Sequence, residues 1–232
     1  EGEGVPCVIA ALGPIYPPLF SDRLKQHIQF IFVDFKNTWG KEGPLDPTGV
    51  DMQSILDDID GVRAALGHEQ ICVIGHSAPG MIPMAYALAY PDRASHGISL
   101  ATVPFFNASF GEIQSEFWDR DASPERRAAA ERNREALPNS VIQTLSDRDA
   151  WIMSYVRNGP TYWFDPSYDA YWLFAGQHVN MEMINHFFGV VLADYDLRPR
   201  LGDLTTPVFL AQGRYDYTTP YVLDLGHVLN LS

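Results

Sequence analysis

The stretch that most constrains this chain is Ile71-Cys72-Val73-Ile74-Gly75-His76-Ser77-Ala78-Pro79-Gly80. A short apolar, β-branched run ends abruptly in a Gly-x-Ser turn. The apolar positions that follow (Met81, Ile82, Met84, Ala85, Leu88, Ala89) are spaced like a buried helix. Strand, tight turn and helix with a serine at the apex make a nucleophile elbow. The shape answers a chemical need, because a serine hydroxyl is a weak nucleophile unless it stands where a base can reach it. So sharp a turn strains the serine and requires small neighbours on both sides. It also aims the first amides of the helix at the place where a carbonyl oxygen becomes negative. An ordinary exposed loop between strand and helix can carry the same string, so the rest of the chain must decide.

Around this stretch, apolar runs alternate with amphipathic ones. Val5–Leu12 predicts a buried strand ending at Gly13-Pro14, and Ile28–Phe35 predicts a second. Thr48–Leu66 predicts a helix with Met52, Ile55, Leu56, Ile59, Val62 and Leu66 on one face and Gly67 just past its end. The helix after the elbow closes at Tyr90-Pro91, with Pro83 expected to disturb its second turn. Gly97–Pro104 predicts another strand. The alternation implies an α/β fold: a mostly parallel sheet with helices on both faces. Such sheets bind ligands at the carboxyl ends of their strands, where Ser77 falls.

The pattern changes after Phe105. Residues 107–200 carry no strand signal. A charged helix, Pro124–Leu137, leads into a segment with eleven aromatics between Trp151 and Phe188. This reads as a helical cap, 107–200, inserted into a core made of 1–106 and 201–232. Most of the aromatics are expected to pack the cap on the sheet, and a minority to line an apolar pocket. Strand character returns at Pro207–Gln212, followed by Gly213-Arg214-Tyr215-Asp216.

A serine at an elbow needs a histidine to take its proton and a carboxylate to hold that histidine, in the order Ser, acid, His. Asp216 follows a strand and a glycine turn at the same sheet edge as Ser77. Alternatively, it is a turn aspartate bonded to its own loop through Thr218-Thr219. Of seven histidines, His27 and His68 read as solvated, His76 as a packing or orienting neighbour of the serine, and His96 as the entry to a strand. His178 and His186 fall in the cap, which leaves His227 as the base. His227 follows Asp216 by only eleven positions, short for a helix and a returning strand, so residues are expected to be skipped between about Leu223 and Asp224. The amide of Ala78 is one oxyanion donor. The other is Gly13 or Ile15, because Pro14 has no N–H.

Composition narrows the partners. The net charge of −13 argues against nucleic acid, and no apolar run is long enough to span a membrane. No leader is visible at Glu1-Gly2-Glu3-Gly4, so a cytoplasmic protein is expected. Cys7 and Cys72 lie in apolar runs and read as buried free thiols.

These residues resemble the α/β-hydrolase superfamily, and within it the prolyl iminopeptidase-like branch. Gly75-His76-Ser77-Ala78-Pro79-Gly80 is similar to the superfamily's Gly-x-Ser-x-Gly elbow, and Tyr90-Pro91-Asp92-Arg93 to the usual end of its elbow helix. Gly213–Asp216 resembles the branch's acid loop, and Gly226-His227 its histidine loop. The resemblance implies Ser77 as nucleophile, Asp216 as acid and His227 as base, with no metal or cofactor and a small-molecule or short-peptide substrate. Serine at the elbow, where epoxide hydrolases and haloalkane dehalogenases place aspartate, argues against those activities. Three departures stand out: Pro79 in place of a small residue, no His-Gly-Gly-Pro-Gly string after the first strand, and the short Asp-to-His interval. The implied activity is hydrolysis of an ester or amide through an acyl-enzyme, by a prolyl aminopeptidase, esterase or lactonase. A non-catalytic small-molecule-binding protein on the same fold is the alternative.

Overall fold

Alternation of apolar side chains along short β-branched runs builds the centre of the molecule. The computed structural model describes residues 1–10, 15–34, 46–107, 109–175 and 179–220. Among them, five strands form one sheet: β1 (Val5–Ala10), β2 (Ile28–Val33), β3 (Ile71–His76), β4 (Ala94–Leu100) and β5 (Val208–Ala211). Their order is β2-β1-β3-β4-β5, and every neighbouring pair is parallel, as the alternation predicts. Val8, Ala10, Ile71 and Val73 face one side, where they meet α2 (Met52–Ala65) and α3 (Ile82–Ala89). Cys7, Ile9, Cys72 and Ile74 face the other with Tyr16 and Phe30. The two thiols are free, buried and in register across β1 and β3. Ile59, Ile71, Val73 and Met84 have no exposure at all, each worth about 1.5–3 kcal/mol of burial.

Local chemistry sets the helix ends. Asp51 and Ser54 form a reciprocal cap at 2.8 and 3.1 Å, so α2 starts at Met52 rather than Thr48. Gly67, at φ +74°, closes it with bonds from its amide to Ala64 and from His68 to Arg63. Asp60 on α2 accepts from Arg63 (2.7 Å), Tyr86 of α3 (3.1 Å) and Arg93 (2.5 Å), tying both helices to the start of β4.

The two prolines after the serine disturb nothing. Residues Ala78–Met81 form a 3₁₀ turn with Pro79 at its start, and the α-helix proper begins at Ile82 with Pro83 in its first turn. Each proline therefore sits where an amide has no intrahelical partner, and the second-turn disruption expected of Pro83 does not arise.

Between β4 and β5 the described residues hold no strand, only an isolated bridge between Phe105 and Asp196. After the short α1 (Asp22–Lys25), which precedes β2, and the two helices above come α4 (Ser109–Asp121), α5 (Pro124–Ala136), α6 (Asn139–Ile142) and α7 (Asp147–Arg157). They are followed by α8 (Gly159–Tyr162), α9 (Tyr171–Phe174) and α10 (Met181–His186), which runs on into a π-helical turn, Phe187–Val191. Arg126 of α5 is 5% exposed and donates to the carbonyls of Pro160 (2.6 Å), Trp163 (2.8 Å) and Phe164 (2.7 Å), fixing the aromatic segment after α7. No helix among the described residues is long and apolar enough to cross a membrane.

Candidate active site

Ser77 leaves the end of β3 at φ +60°, ψ −138°, a conformation that costs a non-glycine residue about 1–3 kcal/mol. Its surroundings hold it there. Its amide donates to Leu100 on β4 at 2.9 Å, and its carbonyl accepts from Gly80 at 2.8 Å. A Cβ on Gly75 would stand 2.3 Å from the Pro79 carbonyl oxygen, and one on Gly80 would stand 2.4 Å from Thr102 Cβ. The small neighbours that the turn demands are thus Gly75 and Gly80, one position later than the glycine that Pro79 replaces. The serine is exposed, and the amide of Ala78, first in the turn, has no acceptor within its own helix.

Ser77 opens on a cavity of about 500 Å³ at the carboxyl end of the sheet. Ile15, Tyr16, His76 and Ala78 form its floor, and the helical stretch covers it with Trp151, Tyr155, Phe174 and Phe187 among others. Nine of the eleven aromatics between Trp151 and Phe188 reach its wall, Tyr171 and Trp172 being the exceptions. The expectation that a minority would do so is corrected. Side chains such as Trp151 and Tyr155 pack edge to face at 5.0 Å and still present another face to the cavity, so packing and lining are not alternatives. Ser77 and Ala78 also belong to the wall of a second cavity of about 650 Å³.

Asp216 lines the first cavity with Ser77. Its Oδ1 accepts from the amide and hydroxyl of Thr218 (2.9 and 2.6 Å) and the amide of Thr219 (3.0 Å), and its Oδ2 from the Thr219 hydroxyl (2.5 Å). The turn-aspartate geometry is therefore real, and it leaves room on Oδ2 for one more donor. The helical stretch clamps this loop too: Thr161 accepts from the amide of Tyr217 at 2.9 Å, Gln114 donates to the Thr218 carbonyl at 2.5 Å, and Asp121 pairs with Arg214 at 2.7 Å.

His227 and Gly13 lie outside the described residues, as does His178. Ile15, the other candidate for the second oxyanion amide, is buried in the cavity floor. His186 is occupied elsewhere, its Nε2 2.7 Å from the Val50 carbonyl. His76 is more involved than a packing neighbour. Its Nδ1 is 3.0 Å from the hydroxyl of Tyr16, which is 9% exposed, and the rings meet edge to face at 6.0 Å. Burial pushes the Tyr16 hydroxyl well above the usual phenol range, so the phenol stays protonated beside the imidazole. His76 opens on the cavity, yet the protein around it lowers its pKa through desolvation, with Asp216 partly opposing. Desolvation thus favours the neutral imidazole over the charged one. The Gly-His-Ser string located His76. Nothing in the sequence ties it to Tyr16, because that bond spans sixty positions.

Comparison with known proteins gives the same answer as the geometry. The description "alpha/beta hydrolase fold" matches residues 13–225. The AB hydrolase superfamily protein YclE of Bacillus subtilis is 30% identical over 217 residues, 94% of this chain and 76% of that protein. A proline iminopeptidase of Flavobacterium johnsoniae is 22% identical over 86% of this chain and 68% of its own length. An alpha/beta fold family hydrolase from Bacillus anthracis superposes with a TM-score of 0.67 at 19% identity, covering 100% of this chain and 82% of the other. With a parallel sheet, a serine on a strained bend at its carboxyl edge and a family match over nearly its whole length, this chain belongs to the alpha/beta hydrolase fold family.

Proposed function

We propose that the protein is a serine hydrolase that cleaves a small carboxylic ester through an acyl-enzyme on Ser77. The observation that carries this reading is the strained, exposed serine held at φ +60° between Gly75 and Gly80, with Asp216 on the same cavity wall. His227 takes the hydroxyl proton as Oγ attacks the carbonyl carbon. Asp216 holds the imidazole, and the amides of Ala78 and of Gly13 or Ile15 receive the oxyanion. Collapse breaks the bond to the leaving group, which departs with that proton. Water then gives a proton to His227 and its oxygen to the acyl carbon, and Ser77 regains its hydrogen. Residues 107–200 act as a cap that closes the cavity over the serine.

Ester substrates are favoured over free-amine peptides by the carboxylates. An aminopeptidase must pair a substrate ammonium, yet Glu112, Glu116 and Glu182 are exposed and reach neither cavity wall. Wild-type protein should hydrolyse p-nitrophenyl butanoate faster than prolyl p-nitroanilide. Ser77→Ala should lose on the order of a million-fold in turnover of that ester. Turnover that survives Ser77→Ala would refute the assignment and leave the binding-protein alternative.

A further inference from the structure

Two cavities of different character meet at Ser77 and Ala78. The smaller is apolar, walled chiefly by aromatic rings. Its one carboxylate from the helical stretch, Asp165, is exposed and has Oδ1 bonded to the amide (2.8 Å) and hydroxyl (2.6 Å) of Ser167. The larger, beneath α4 and α5, is the more polar of the two: Gln114, Ser115, Asn158 and Thr161 share its wall with rings such as Phe106, Phe110 and Trp118. The charged side chains on its wall are matched: Asp119 lies 3.7 Å from Arg127, and Arg134 lies 2.6 Å from Glu131. Tyr155 and Tyr162, with ring centres 5.2 Å apart, belong to both walls and stand between the two spaces.

We infer that the substrate is a two-part ester, with an uncharged hydrophobic acyl group in the aromatic cavity and a polar, uncharged alcohol in the larger one. This inference rests on Ser77 as the nucleophile. The direction follows from the chemistry of the second half-reaction. After the C–O bond breaks and the alcohol leaves with its proton, water must reach the acyl carbon from the side the alcohol vacated. The more polar space admits that water, whereas the more apolar one retains the acyl chain. The balanced reaction is ester plus water to carboxylic acid plus alcohol. Each methylene added to the acyl chain should raise kcat/KM by about three- to four-fold until the aromatic cavity is full.

Two constitutional isomers test the assignment directly: glycerol 1-hexanoate and hexyl glycerate, which place the same hydrophobic and polar halves on opposite sides of the ester. With the full chain, the glycerol ester should be preferred at least about ten-fold in kcat/KM. Leu173→Trp, in the aromatic cavity, should shorten the acyl chain accepted, and Ser115→Leu, in the polar one, should lower the rate on glycerol hexanoate relative to ethyl hexanoate. Equal rates, or preference for hexyl glycerate, would overturn the inference. If neither isomer is cleaved, fluorophosphonate labelling separates the causes. Labelled Ser77 refutes the two-cavity assignment alone, while an unlabelled serine refutes the nucleophile and the inference with it.

Discussion

The sheet half of the molecule and the helical stretch between β4 and β5 are held together by different means. In the central strands β1 and β3, aliphatic side chains at period two are buried on both faces, and strand pairing satisfies the backbone. In the helical stretch, several helices are only four residues long. Order there comes from aromatic contacts, such as Tyr155 on Phe174 at 4.7 Å, and from one buried guanidinium on three carbonyls. The sheet fixes a single atom, the Ser77 hydroxyl, with enough redundancy to sustain backbone strain. The helical stretch fixes a volume, and it does so with contacts that tolerate rearrangement. On the proposed function, chemistry belongs to the first region and selectivity to the second.

Breaking the two regions separately should have effects of different size and kind. Asp216→Asn should lower kcat on an ester by about 10⁴-fold, because the base loses its orienting charge, with KM little changed. A loss confined to KM would make Asp216 a loop residue only. Gly75→Ala should destabilise the fold by about 3 kcal/mol, since its Cβ meets backbone rather than a movable side chain. Urea unfolding would show this, and a loss below 1 kcal/mol would refute the claim that close approach shapes the elbow. Arg126→Met should cost about 2 kcal/mol by leaving three carbonyls unpaired. It should raise KM more than it lowers kcat, and the opposite split would move the helical stretch into the chemical step.

The smallest effect concerns pH. Desolvation by the protein around it, partly opposed by Asp216, lowers the pKa of His76 in the folded state below the unfolded value of about 6.5. Between those two values the unfolded chain binds more protons, so this residue's contribution to stability is full above about pH 6.5. It falls as pH drops toward the folded pKa. His76→Asn should flatten the melting temperature profile in that window. An unchanged slope would remove the neutral His76–Tyr16 pair from the account.

Much of this architecture was legible because the signals are local. The run Ile71–Gly80 names its own strand and turn, and the periodicity of Met52–Val62 names its helix. What was not legible depends on residues far apart in the chain. Whether Pro83 would break a helix depended on where the α-helix begins, which a 3₁₀ turn at Ala78–Met81 decides. That Tyr162, Trp163 and Phe164 would line the cavity, rather than only pack, depended on Arg126, whose guanidinium holds the carbonyls of Pro160, Trp163 and Phe164. For Asp216, the turn bonds to Thr218 and Thr219 are present, and the same carboxylate lines the cavity where the proposed acid would stand.

A hydroxyl raised on a strained bend in this way should be chemically activated. Incubating the protein with a fluorophosphonate and locating the adduct by peptide mass spectrometry tests it most directly. A single phosphonate on the peptide carrying Ser77, absent from Ser77→Ala and from protein unfolded in urea, is the predicted result. Labelling that is absent from the native protein, or falls equally on other serines, would contradict it.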